Sequence, residues 1–162
     1  MRIRKAQLSK EVLEMINRYR NKTLSEIRKI EARWSCGAYE KYSLYSMRKS
    51  EGYEIFYVEL KELIESADFG EMMYEKLNPK KLFTDIYERD FRIVKILDQW
   101  SKKRYIDPPE ICLNHLQKIS FGDGRHRTIV AFHLGEKYIP VMVHSSLFDK
   151  LSKMIYLKET KK

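Results

Sequence analysis

The 162-residue sequence predicts an α+β domain: a small β-sheet flanked by helices, with an N-terminal helical extension. Three observations predict it. Four short stretches, 53–60, 110–113, 117–121 and 139–143, are rich in β-branched, aromatic and other apolar residues, and Gly52, Pro109 and Gly122 punctuate them. Before and between them, apolar residues recur every three or four positions, the spacing of one helix face. Residues 117–143 then read as strand, glycine turn, helix and strand in direct succession. The length suits one domain, and a composition of 43% hydrophobic and 12% aromatic residues supplies a core, which excludes global disorder.

Along the chain, residues 8–33 have helical spacing at Val12, Met15, Ile16, Tyr19, Leu24, Ile27 and Ile30, with Ser9 able to cap the start. Asn21-Lys22-Thr23 is a candidate break, after which Thr23 caps a second helix and Glu26 completes a capping box. Residues 34–50 mix Trp34, Tyr39, Tyr42 and Tyr45 with Lys41, Arg48 and Lys49. Such a mixture can stack on bases and neutralise phosphates, but an amphipathic helix with tyrosines over the core accounts for it more simply. Residues 53–60 form the first strand. Residues 61–90 are acidic and suit short helices, with a turn at Asn78-Pro79. Residues 90–103 are a helix presenting Phe91, Val94, Leu97 and Trp100, stopped by Asp107-Pro108-Pro109 ahead of the strand at 110–113. A strand at 117–121 leads into the turn 122–127, and a helix over 128–134 ends at Gly135 in the C′ position. Residues 139–143 are the last strand, where Pro140 suits an edge or a first residue. A lysine-rich helix covers about 145–158.

Charge is distributed unevenly. Residues 1–50 carry 13 Lys+Arg against 5 Asp+Glu, residues 51–100 carry 7 against 12, and residues 101–162 carry 12 against 6. Arg18, Arg20, Lys22, Arg28, Lys29 and Arg33 give the N-terminal segment a basic outer face. Two basic ends that meet in space would make a positive face suited to nucleic acid; a solvated helical surface is the plainer alternative. No apolar run approaches a membrane span and the first residues lack a signal segment, so a cytoplasmic protein without a membrane partner is expected. Cys36 and Cys112 form no metal-ligand spacing or disulfide framework, and Cys112, between Ile111 and Leu113, reads as a buried thiol. His115, His133 and His144 make no zinc spacing, no Walker loop occurs, and no nucleophile elbow is present. His133 follows His126 by two turns, where a backbone-bonded core histidine is favoured over a ligand-facing one.

The candidate chemistry lies in Gly122-Asp123-Gly124-Arg125-His126-Arg127. Two glycines permit a sharp turn and let a ligand approach the backbone. The helix that follows opens with unpaired N–H groups and partial positive charge. Arg125, His126 and Arg127 add donors on the same spot, and guanidinium forks give bidentate specificity that a helix end lacks. These parts describe a phosphate site. The alternative is a structural turn whose cations pair with Glu110 or Asp123. Asp123 itself can cap the helix, hold a metal or orient Arg125, and capping is favoured because Asp bonds locally in turns.

Pro109-Glu110-Ile111, the run Ile119 to Arg127, Gly135 and Ile139-Pro140-Val141-Met142-Val143 together resemble the ParB/sulfiredoxin-like superfamily, with its "P-x-I … DGRHR … A … G … IPV" pattern. The match covers about residues 53–145. It implies a small mixed β-sheet flanked by helices, with residues 1–50 a basic helical extension, 51–145 the core and 146–162 a C-terminal helix and basic tail. That family includes CTP- and DNA-binding partition proteins, ATP-binding sulfiredoxins, free serine kinases, and plasmid or phage proteins with nuclease or ATPase activity. The resemblance implies that Gly122, Gly124, Arg125, His126, Arg127 and Thr128 contact a nucleoside triphosphate, ATP or CTP, accompanied by Mg²⁺. Sulfiredoxin chemistry needs a cysteine where Arg125 stands and is excluded. Partition proteins carry a DNA-reading domain after this core, whereas 17 residues follow Ser145, so a partition clamp is not expected. A kinase needs a carboxylate near the phosphates, for which Glu59, Glu62 and Glu110 are candidates.

The expectation is a nucleotide-binding, DNA-associated protein from a plasmid, phage or other mobile element. If it is an enzyme, the reaction is phosphoryl transfer or phosphodiester hydrolysis: Arg125, His126 and Arg127 neutralise charge, and Asp123 or a nearby Glu orients water or Mg²⁺. The alternatives are a non-catalytic module binding nucleic acid, a protein partner or a second copy of the chain, and a free-amino-acid kinase.

Overall fold

The computed structural model describes residues 9–43, 51–83 and 87–159. Helix α1 (Lys10–Arg20) begins where the Ser9 hydroxyl accepts the Val12 amide at 3.2 Å, and it buries Ile16 and Tyr19. The segment 8–33 is not one helix: α1 stops at Asn21, and Thr23 starts α2 (Leu24–Ile27) with the capping box to Glu26 in place. Four residues cannot hold a helix alone. Burial of Ile27 in the common core supplies what the caps do not.

The 34–50 stretch forms no long helix within its described part. Trp34 bridges Ile106, and Gly37–Tyr42 is a 3₁₀ turn; residues 44–50 lie outside the described residues. Strand β1 (Tyr53–Glu59) runs directly into α3 (Leu60–Ser66), followed by α4 (Glu71–Glu75) and a 3₁₀ turn at Pro79–Lys81 capped by Asn78. Helix α5 spans Tyr87–Ser101, and β2 (Glu110–Leu113) and β3 (Ile119–Asp123) form a hairpin. Helix α6 (Arg125–His133) crosses to β4 (Tyr138–His144), and a 3₁₀ turn leads to α7 (Phe148–Ser152). The helix expected over 145–158 therefore ends at Ser152; the chain beyond it extends to bridge β1 through Lys158.

The four strands make one mixed sheet in the order β1-β4-β2-β3. β4 is antiparallel to β1 and parallel to β2, and β2 is antiparallel to β3. This is the α+β class read from the sequence. Pro140 departs from its expected place, because β4 is interior. The register explains why the ladder tolerates it. Pro140 faces Tyr57, whose N–H and C=O turn outward to Lys158 at 2.7 and 2.9 Å. On its other side the ladder with β2 begins at Met142, which donates to the Pro109 carbonyl at 2.8 Å. Pro140 thus needs no donor on either side.

Strand β3 also starts later than the alternation suggested. Asn114 accepts the Leu116 and Lys118 amides at 2.9 and 3.0 Å, and Gln117 is left-handed at φ 59°, so residues 114–118 are the hairpin turn. One hydrophobic core joins the sheet to α1, α2, α3, α5 and α6, and takes in Leu151, Ile155 and Leu157 near the C-terminus. Each fully buried Ile or Leu there contributes about 1.5–3 kcal/mol. Residues 9–43 are tied in by polar contacts as well. Tyr19 donates its hydroxyl to Asp98 at 3.1 Å, and the Arg20 guanidinium stands 3.2 Å from Asp90, which is fully buried. No helix among the described residues is long and apolar enough to cross a membrane.

Candidate functional site

The passage from β3 to α6 is shorter than the six-residue turn expected at 122–127. Gly122 and Asp123 end β3, Arg125, His126 and Arg127 are already the first turn of α6, and Gly124 alone reverses the chain. It does so at φ 91°, ψ 21°. A single left-handed residue suffices for the reversal, and Arg and His have no aversion to a helix, so the helix starts three residues before Thr128. A Cβ at Gly124 would lie 2.7 Å from the Cα and Cβ of Pro109.

Asp123 does not cap the helix. The N-cap is Gly124, with no side-chain bond, and the Asp123 carboxylate turns instead to Arg127, one helical turn on, at 2.6 Å. Arg127 also donates to the carbonyls of Asp107 at 2.6 Å and Pro108 at 3.4 Å, and its side chain is 12% exposed. It therefore clips the end of β3 to the segment ahead of β2. Thr128 is buried; its amide and hydroxyl both bond the Gly124 carbonyl, at 3.1 and 3.0 Å, closing the first turn. The amides of Arg125, His126 and Arg127 remain as the open donors of this helix end.

Arg125 is exposed, and among the described residues it reaches a neutral partner, the Phe69 carbonyl, at 3.3 Å. His126 is half-buried. Loss of hydration pushes its imidazole down to about 4, and the charges of Arg92, Lys76, Arg125 and Arg127 push the same way. The ring is neutral at pH 7 and sits within a concentration of positive charge. Lys76 belongs to this group although only 5% of it is exposed; its ammonium donates to the Leu82 carbonyl at 3.1 Å. Neither Lys76 nor Arg92 carries a local sequence signal. They reach His126 from the end of α4 and from α5, through tertiary packing.

Of the candidate carboxylates, Glu110 stands beside the turn. It faces Asp123 across the β2–β3 pair, accepts the Tyr53 hydroxyl at 2.9 Å, and lies over Gly122, where a Cβ would meet its carboxyl carbon at 2.9 Å. A side chain at position 122 would push the Glu110 carboxylate aside. Glu59 is remote. It ends β1 opposite Tyr138, about 13 Å along β4 from the level of Glu110, on the outer strand. Glu62 follows on α3, close behind Glu59 in the chain.

The six basic residues of the N-terminal segment divide. Arg18 and Lys29 are exposed. Arg20 is paired with buried Asp90, Arg28 donates to the His133 carbonyl at 3.2 Å, and Lys22 lies 5.8 Å from the Tyr19 ring centre. Arg33 stands 3.9 Å from Glu31 and 5.9 Å from the Tyr105 ring centre. His133 is buried and bonds the Lys76 carbonyl at 2.5 Å, and burial holds its imidazole below the usual range. Cys36, rather than Cys112, is the buried thiol; it contacts the Tyr57 hydroxyl at 3.4 Å, while Cys112 is partly exposed.

Chemically, the opening turn of α6 offers three amides, one exposed guanidinium and two nearby cations, with Glu110 and Asp123 at its edge. The described residues contain no group of three or more His, Cys, Asp or Glu side chains able to hold a metal ion. No family model, curated protein or solved structure matches the chain.

Proposed function

We propose that the protein binds a nucleotide through its phosphates at the opening turn of α6. The observation that carries the proposal is the positive charge acting on that turn: Lys76, Arg92, Arg125 and Arg127 all press the half-buried His126 toward its neutral form where the helix leaves its first amides open. A helix end favours an anion by about 0.3–1 kcal/mol when exposed and up to ~2 when partly buried. Charge-assisted bonds from Arg125 add to this. Arg127 is spent on Asp123 and the 107–108 carbonyls, so the expected pair of guanidinium forks reduces to one fork and a wall. The resemblance to ParB/sulfiredoxin-like proteins makes a nucleoside triphosphate the ligand of choice, and the basic composition fits a DNA-associated role. Magnesium would enter with the phosphates, which supply most of its oxygens; Glu110 and Asp123 are the carboxylates at the edge of the turn.

The test is a thermal shift with ATP, CTP, GTP and ADP, each with and without Mg²⁺. Ligand at a hundred times its Kd adds about 2.7 kcal/mol of stability. Arg125→Ala is expected to remove the shift while leaving the unliganded melting temperature near wild type, since Arg125 is exposed. A protein unmoved by every nucleotide and by pyrophosphate would refute the proposal.

A second reading, hydrolysis or transfer of the terminal phosphate, is favoured by the Glu110 carboxylate beside the turn. Phosphate release that Glu110→Gln abolishes, with nucleotide binding retained, would support it. ADP formed only when serine is supplied would point to the amino-acid kinase.

A further inference from the structure

Tyrosines that look scattered in the sequence meet in the fold. Tyr39 and Tyr42 lie three apart on the 3₁₀ turn Gly37–Tyr42, a spacing that brings side chains into register on one side of such a turn. Both rings stack on Tyr105, which arrives from the segment after α5. The ring centres are 4.6 and 4.8 Å apart, with planes inclined by 21° and 6°. A stack of this kind in a core would be closed off, yet Tyr39 is 48% exposed and Tyr42 51%.

Cations border the stack. Lys41 Nζ stands 5.2 Å from the Tyr42 ring centre, and Arg33 Cζ stands 5.9 Å from that of Tyr105. Lys102, Lys103 and Arg104, all exposed, lead directly into Tyr105. Lys102 is paired with Asp98 at 2.8 Å, whereas Lys103 and Arg104 make no ion pair among the described residues. The neighbouring carboxylates are Glu31, 3.9 Å from Arg33, Glu40 within the turn, and the buried Asp98 and Asp107 on either side of the 102–105 run. Positive charge is therefore in excess around an open aromatic face.

We infer that this face binds single-stranded nucleic acid, with a base continuing the Tyr39–Tyr105–Tyr42 stack and Lys41, Lys103 and Arg104 contacting the flanking phosphates. Every base has a π-face, so the recognition is tolerant of sequence. A duplex offers no free base faces except at its ends, so single strands are the ligand. The inference stands apart from the α6 site, because none of these residues belongs to it.

The test is an anisotropy titration of the full chain with labelled single-stranded DNA and RNA oligonucleotides and with a duplex of the same length. Single strands are expected to bind, more tightly than duplex. Tyr39→Ala should weaken binding roughly 5- to 150-fold, the equivalent of the ~1–3 kcal/mol carried by one stacked base. Tyr39→Phe keeps the ring and should bind as wild type. Should Tyr39→Ala lower the melting temperature, Tyr39→Leu keeps apolar cover on Tyr105 without a π-face and should show the same loss. Lys41→Ala and Arg104→Ala should each flatten the salt dependence by about 0.7 in log–log slope. Duplex bound as tightly as single strand, or wild-type affinity in both Tyr39→Ala and Tyr39→Leu, would overturn the inference.

Discussion

Replacing Gly124 by alanine tests the geometry on which the α6 site rests. Two costs add. A non-glycine residue at φ 91° pays about 1–2 kcal/mol for the left-handed conformation. The new Cβ then falls 2.7 Å from the Cα and Cβ of Pro109 and 3.1 Å from the Arg127 guanidinium carbon. Pro109 is buried and its ring is stiff, so backbone has to move, an overpacking cost of about 1–3 kcal/mol. The expected loss is roughly 2–5 kcal/mol, against a domain stability of about 5–15 kcal/mol. For a chain of this size that lowers the melting temperature by ~4–20 °C. Gly135 is the internal control: it has φ +81° with nothing within 4 Å of where a Cβ would stand, so Gly135→Ala carries the conformational cost alone. The gain from stiffening the unfolded chain enters both variants equally and cancels in the difference. Urea denaturation followed by circular dichroism measures both. If Gly124→Ala is no more costly than Gly135→Ala, Pro109 does not wall the turn and the site's close packing is wrong.

The remaining predictions concern charges. Arg20→Ala should cost about 1–3 kcal/mol by removing one partner of the fully buried Asp90; a loss within ~0.5 kcal/mol would show that this ion pair does not hold α1 to α5. Arg127→Ala should cost about 2 kcal/mol by releasing the Asp107 and Pro108 carbonyls, while Asp123→Asn, at a 42% exposed side chain, should cost under ~1 kcal/mol. Equal urea midpoints for the two variants would contradict the clip. For His126, the folded value of about 4 lies below the ordinary 6.5, so the unfolded chain takes up the proton first. Its stabilising contribution is complete above about pH 6.5 and is lost as pH falls toward about 4. His126→Gln should lose less stability than wild type between pH 7 and 5; identical losses would mean the ring is already hydrated in the fold.

Periodicity carried the fold a long way because the elements are short and well punctuated. Pro109 marked where β2 begins, and the Thr23–Glu26 capping box announced α2. What failed was local chemistry that depends on partners. Gln117 carries no mark of a left-handed residue; Asn114 imposes it by accepting two amides. Asp123 looks like a cap in any sequence, but Arg127 one turn later outcompetes the helix amides for its carboxylate. Pro140 argues for an edge only if both neighbours need its donor, and that depends on where β2 begins. The site divides the same way. The Arg125–Arg127 cations were legible as a motif, whereas Lys76, Arg92 and the meeting of Tyr39, Tyr42 and Tyr105 exist only once distant segments pack.

The bridge from Lys158 to Tyr57 bears on how the chain completes itself during synthesis. β1 leaves the ribosome well before either of its ladder partners, β4 and the Lys158 segment. Until then its N–H and C=O rows stand open, and an open strand invites pairing with other chains. Sheet closure over such a separation is intrinsically slow. Truncation before Lys158 should therefore leave a folded but sticky product, one whose outer strand seeks a second molecule.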